Sequence, residues 1–204
     1  AYSKAKGKGE VISSAIASYT VIDETAQASG KQPTSIVDIA RADSQNIVEL
    51  GLAQNLVIRG TDQSETLKGN AQNNKIVGKA GQDRMVGVDT EAPNPGIGER
   101  DTILGGKGAD IYVLGNASTA FYNDGDISSS GLADYAEIRG FSAKQDVIEL
   151  HGKATDYRLG STSSGDSKDI GIFLKESGKE ELIGIIVNGQ GKNLNLEDRS
   201  FSFV

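Results

Sequence analysis

Cysteine and tryptophan are absent from this chain of 204 residues, proline occurs three times, and methionine and histidine once each. Without cysteine there is no disulfide, no thiol nucleophile and no thiolate-bound metal. The lone His151 follows an apolar run and precedes Gly152, the setting of a turn residue rather than of a general base. Aromatic residues make up 5% of the chain and hydrophobic residues 37%, so any core is thin and mainly aliphatic. No stretch reaches the ~18 apolar residues of a membrane-spanning helix, so membrane insertion of that kind is not expected. Acidic residues outnumber basic ones by 28 to 21, and the formal charge of −7 argues against nucleic acid or an anionic membrane surface as partner. The chain opens without an initiator Met and without a basic-then-apolar leader, the start expected of a processed piece or of part of a longer exported protein with a domain upstream.

What is abundant is glycine, at 26 residues, and its spacing is regular. Steps of nine from Gly51 reach Gly60, Gly69, Gly78, Gly87, Gly96 and Gly105. In the window Gly105-Gly106-Lys107-Gly108-Ala109-Asp110-Ile111-Tyr112-Val113, glycine holds the first, second and fourth places, aspartate the sixth and an apolar residue the eighth. Repeats this short cannot fold singly; each contributes a turn and a short strand, and burial comes from stacking. The expected fold is therefore mainly β, a parallel β-roll of nonapeptide repeats, with Leu67, Ile76, Met85, Ile103 and Tyr112 at the eighth place facing inward. Residues 87–95 contain Pro93 and Pro95 and read as a loop, because proline cannot donate to a strand ladder.

The sixth place carries the chemistry. Calcium is a hard cation that takes about six to eight oxygens at flexible geometry. Two nonapeptides make one coil, so an ion between stacked turns meets their backbone carbonyls and their sixth-place carboxylates. Glycine lets those carbonyls converge where a Cβ would clash. The candidate ligands are the turn residues Gly60, Asp62, Gly78, Ala80, Gly96, Gly98, Gly105, Gly106 and Gly108, with the side chains of Glu65, Asp83, Asp101 and Asp110. An 18-residue coil puts Glu65, Asp83 and Asp101 on one edge, and Asn74, Ala92 and Asp110 on the other. Calcium is then expected mainly along the first edge, with a further ion at the Gly105–Asp110 turn if Asp89, Asp124, Asp126 or Asp134 completes it.

The flanks differ. Val11, Ile12, Ala15, Ile16 and Tyr19 recur at helical spacing, and a second helix is expected from Ser35 through Ile36, Val37, Ile39 and Ala40; Ile47, Val48 and Leu50 continue it or form a short strand. Residues 1–54 are thus expected to be a lead and a helical N-terminal cap, and residues 55–113 the β-roll. Residues 114–204 are expected to form a β-rich C-terminal cap with runs at Ala136–Ile138, Val147–Leu150, Ile170–Leu174, Leu182–Val187 and Phe201–Val204. The polar, Gly-containing stretch from Glu176 to Glu180 reads as a hairpin turn. No nucleophile elbow and no singled-out carboxylate pair appears, so catalysis is not expected.

On these motifs, residues 60–113 resemble the hemolysin-type calcium-binding repeats of RTX proteins. Residues 114–204 are similar to a tail found in a group of such proteins, many cyanobacterial, through Asp134-Tyr135-Ala136-Glu137-Ile138, Asp146-Val147-Ile148-Glu149-Leu150 and Phe201-Ser202-Phe203-Val204. The resemblance implies bound calcium, passage through a type I secretion machinery with an uncleaved C-terminal signal, and folding outside the cell where calcium is plentiful. Only one window carries the full consensus, which lowers the number of ions expected. The function expected is that of a secreted, extracellular, non-catalytic calcium-binding module. The alternative is an extracellular adhesin or surface-layer component whose cap binds glycan or another subunit.

Overall fold

The computed structural model describes residues 55–125, 131–163, 166–176 and 178–204, and the backbone of 18–22, 34–38 and 47–48. Strands β1 (Ser18–Ile22), β2 (Thr34–Asp38), β3 (Ile47–Val48) and β4 (Asn55–Arg59) precede the first glycine turn. β5 (Thr66–Lys68), β6 (Lys75–Ala80), β7 (Arg84–Val86), β8 (Arg100–Lys107) and β9 (Ile111–Val113) carry the repeats. β10 (Tyr135–Arg139), β11 (Val147–Leu150), β12 (Tyr157–Gly160), β13 (Ile170–Glu176), β14 (Lys179–Ile186) and β15 (Phe201–Phe203) follow.

From β4 to β11 the chain alternates between two sheets. Among the described residues, one has nine strands in the order β1-β2-β4-β6-β8-β10-β14-β13-β12, the other six in the order β15-β11-β9-β7-β5-β3. Every pairing between neighbours in the coiled stretch is parallel. This is a parallel β-roll. Its core is two ladders of inward side chains in register: Ile58, Ile76, Ile103, Ile138 and Ile186 in the first sheet, and Leu67, Met85, Tyr112, Ile148 and Phe201 in the second. All but Phe201 are completely buried. At about 1.5–3 kcal/mol per fully buried aliphatic side chain, stacking supplies what one repeat lacks.

The expected helical N-terminal cap is corrected here. Tyr19 lies in β1, and Ser35, Ile36 and Val37 lie in β2, which pairs in parallel with β4. β-Branched Thr20, Val21, Ile22, Thr34, Ile36 and Val37 favour an extended chain, and the exposed edge of β4 offers them a ladder. Ile47 and Val48 form the short strand β3. The remaining residues named for the helices, Val11 to Ile16, Ile39, Ala40 and Leu50, lie outside the described residues.

After Val113 the coil does not stop. β10 adds to β8 and β11 to β9, both in parallel, and β15 then closes the second sheet. The expected hairpin is β13 and β14, antiparallel with Glu176 opposite Lys179. β14 lies parallel to β10, so the hairpin continues the first sheet beyond the last coil.

The loop expected at residues 87–95 extends to Gly98 without any strand, and it changes the stacking. Before it, equivalent residues are 18 apart, Thr66 opposite Arg84; across it they are 27 apart, Lys75 opposite Thr102 and Arg84 opposite Ile111. An added nonapeptide keeps the phase of nine but rotates everything after it by half a coil. Gly96, Gly98 and Asp101 therefore do not follow the Gly78 turn on its edge, contrary to the 18-residue expectation; Gly105, Gly106, Gly108 and Asp110 do.

Candidate metal centre

The turns after β4, β6, β8 and β10 line one edge of the roll, and those after β5, β7 and β9 the other. On the first edge Glu65, Asp83, Asp110 and Asp146 form a continuous ladder. The Asp83 carboxylate accepts from the Glu65 backbone N–H at 2.9 Å, Asp110 from Asp83 N–H at 3.0 Å, and Asp146 from Asp110 N–H at 3.1 Å. Each carboxylate thus uses Oδ1 to cap the coil below, leaving Oδ2 for another task.

Those second oxygens differ. Asp146 Oδ2 accepts from Ser142 N–H at 2.7 Å. Asp83 Oδ2 and Asp110 Oδ2 are buried and have no hydrogen-bond partner. A Cβ at Gly78 would overlap both Asp83 Oδ2 and the Gly105 carbonyl oxygen, so two acceptors crowd one point with no donor between them. A Cβ at Gly60 would likewise overlap Glu65 Oε2 and the Gly78 carbonyl oxygen. Glu65 is partly satisfied within its own turn, accepting from Thr61 N–H at 3.1 and 3.2 Å and from the Thr61 hydroxyl. Asp62 is exposed at the tip of that turn, and Ala80 donates its N–H to Thr61 O at 3.3 Å, joining two turns. Gly106 and Gly108 take φ values of 113° and 130°, and Lys79, which stands where the consensus has a second glycine, takes 82°.

The electrostatics agree with a site that lacks positive charge. Burial pushes Asp83 up to about 7, with the charges of Glu65 and Asp110 adding to the effect. Burial likewise raises Asp110, and Asp146 contributes. A cation held by oxygens would relieve both effects.

The second edge is built from the same turn but filled differently. Asn74 replaces the acid, and its Nδ2 donates to the carbonyls of Asn70, Gln72 and Gly87 at 2.8, 2.6 and 2.9 Å. Its Oδ1 accepts from Leu56 N–H at 3.2 Å. Asp101 sits over Asn74, accepting its N–H at 2.7 Å, and its other oxygen accepts the Tyr122 hydroxyl at 2.6 Å. An amide and a phenol here supply the donors that the first edge lacks. Burial still raises Asp101 to about 7 against those hydrogen bonds, and raises neighbouring Glu99 to about 8, with the Asp101 charge adding.

Gly60, Glu65, Gly78, Asp83, Gly105, Gly106, Gly108 and Asp110 are thus brought together along one edge, whereas Gly96, Gly98 and Asp101 stand on the other. Of the carboxylates expected to complete the Gly105 turn, Asp89 accepts from Glu91 N–H at 3.0 Å within its own loop, and Asp134 accepts from Gly98 N–H at 3.1 Å on the second edge. Asp124 lies with Asp134, and Asp126 is outside the described residues. The carboxylate above Asp110 is Asp146, which sequence reasoning missed. Its signal was its distance of 36 residues from Asp110, four nonapeptides, with Ile148 repeating the place of Tyr112. His151 sits at a bend with Nδ1 2.7 Å from Asn116 O, a turn fixture as expected.

A family model described as RTX calcium-binding nonapeptide repeat (4 copies) matches residues 59–88 and 98–117. The interruption coincides with the strandless loop. No curated protein sequence matches the chain. Among solved structures, the AlgE6R3 subunit from the mannuronan C5-epimerase of Azotobacter vinelandii, determined in solution, is 20% identical, with 74% of this chain and 77% of that chain covered and a TM-score of 0.46. Residues 59–88 and 98–117 are thus similar to RTX calcium-binding nonapeptide repeats, and they lie in the parallel coils of the roll.

Proposed function

We propose that the chain is a non-catalytic module that folds on binding calcium along the edge formed by Glu65, Asp83 and Asp110. The observation that carries this is the pair of buried Oδ2 atoms of Asp83 and Asp110, each without a donor, in successive turns. Bound calcium would supply positive charge and a coordination shell of about six to eight oxygens. Asp83 and Asp110 would hold it with the carbonyls of Gly78 and Gly105, and Glu65 with Gly60 on the outer turn; Asp62, Ala80, Gly106 and Gly108 shape those turns. Asp101 has no such part, because its two oxygens already accept from Asn74 N–H and the Tyr122 hydroxyl, and Gly96 and Gly98 stand on that same second edge.

Calcium that binds only the folded chain adds about 2.7 kcal/mol per independent site at a hundredfold excess over Kd. Two sites can make folding conditional on calcium. That behaviour suits export through a type I secretion machinery in an unfolded state, with folding in a calcium-rich extracellular medium. In this reading residues 55–113 are the metal-bearing unit, residues 1–54 precede it with β1, β2 and β3 joined to its sheets, and residues 114–204 cap the other end and contain the secretion signal.

The test is far-UV circular dichroism with thermal melting in excess EDTA, then across a calcium titration with magnesium as control. The expected result is β signal and a raised melting temperature with calcium and not with magnesium. An identical cooperative melt in EDTA and calcium would overturn the proposal.

A further inference from the structure

We propose a second kind of cation site, outside the nonapeptide turns, in which Asp124, Asp134 and Glu181 hold a divalent ion of the calcium class. The three come from separate pieces of chain: the loop after Tyr122, the residue before β10, and β14. One carboxylate oxygen of each lies within 4.8 Å of the others. Three carboxylates this close repel one another, and burial of Asp134 (0% exposed) and Glu181 (6%) removes the water that would screen them.

Asp134 adds a separate observation. Its Oδ2 accepts from Gly98 N–H at 3.1 Å, while its Oδ1, equally buried, has no hydrogen-bond partner. Buried oxygens are seldom left this way without an ion or an ordered water to account for them. Arg100, the cation that acts on Asp134, directs Nε to Ala133 O at 3.3 Å and Nη2 to Leu132 O, and its guanidinium lies 5.5 Å from the centre of the Tyr135 ring. Those backbone oxygens and that ring fix it beside the cluster rather than within it.

Three carboxylate oxygens gathered in so small a space form the hard, all-oxygen donor set that a divalent alkaline-earth ion takes. An ion here would tie β14, and with it the β13–β14 hairpin, to the second edge of the roll at Gly98. Its ligands are distinct from those of the first edge, so the two sets of sites can fail independently.

The experiment is equilibrium dialysis of calcium against the full chain and two double variants. Asp134→Asn with Glu181→Gln is expected to lose one bound ion per chain and keep the ions of the roll. Asp83→Asn with Asp110→Asn is expected to keep this ion while losing those of the roll. Unchanged stoichiometry and affinity in the first pair would overturn the proposal. A readout on the unaltered chain covers the case in which either pair fails to fold. Substoichiometric Mn2+ should broaden the backbone amide NMR signals of Asp134, Glu181 and Leu182, and their staying sharp at saturating Mn2+ would equally overturn it.

Discussion

Replacing Asp83 by asparagine should have opposite effects with and without calcium. The substitution keeps the shape and the Oδ1 acceptor for Glu65 N–H, and removes a charge whose second oxygen has no donor. Without calcium, burial raises Asp83 from 3.8 to about 7, and at about 1.36 kcal/mol per tenfold change in proton affinity the ionised form costs the fold ~4 kcal/mol above neutral pH. The amide also brings donors to a point where two acceptors crowd, as Asn74 does on the opposite edge. In EDTA at about pH 8 the variant should therefore be more stable, by up to ~4 kcal/mol, or roughly 8–16 °C for a chain of this size. In saturating calcium it forfeits a ligand and most of the ~2.7 kcal/mol a site adds at a hundredfold excess, so it should melt below the unaltered chain. Differential scanning fluorimetry in EDTA and in calcium reads both arms. A variant that melts lower in both conditions, or higher in both, would refute the reasoning.

Asp83, Asp101 and Glu99 also fix the pH dependence. Their folded-state values of about 7, 7 and 8 lie above the ordinary 3.8, 3.8 and 4.5, so between about pH 4 and pH 8 the folded chain holds more protons than the unfolded one. Calcium-free stability should fall as pH rises through that window, while calcium affinity rises; melts in EDTA that improve from about pH 5 to about pH 8 would contradict this. Tyr122→Phe removes the donor to Asp101 Oδ2 inside the core and should destabilise by about 1.5–3 kcal/mol in EDTA and calcium alike, measured by urea unfolding. Asn74→Asp replaces three amide donations with a buried charge facing carbonyls; it should destabilise in EDTA by more than ~2 kcal/mol and regain part of that with calcium, through one additional bound ion counted by equilibrium dialysis.

The repeat was legible because its period is a physical one. The eighth place marks the inward side chain of β5 to β9, and Leu67, Ile76, Met85, Ile103 and Tyr112 are all fully buried. Pro93 and Pro95 announced the strandless loop. The partition of carboxylates between edges was harder to read, because a spacing of nine fixes the phase within a turn and not the side of the roll. One extra nonapeptide carries Asp101 over Asn74 and Asp110 over Asp83. The N-terminal residues misled for a different reason: Ile36 and Val37 fit a short helical period locally, while the open edge of β4 that recruits them is a tertiary feature. Asp146 escaped because Phe141, Ser142 and Lys144 stand where the consensus has glycine, leaving only the 36-residue distance from Asp110. Tyr122 could not be foreseen at all, since its hydroxyl reaches Asp101 through a loop with no periodic signal.

The most direct test of calcium on the first edge is a crystal of the full chain grown in calcium and measured at a long wavelength where calcium scatters anomalously. Peaks beside Asp83 Oδ2 and Asp110 Oδ2, with none beside Asn74 Nδ2 or between Asp101 and Tyr122, are the predicted result. Peaks confined to the Asn74–Asp101 edge, or a fully folded roll with none on the Glu65–Asp83–Asp110 edge, would contradict it.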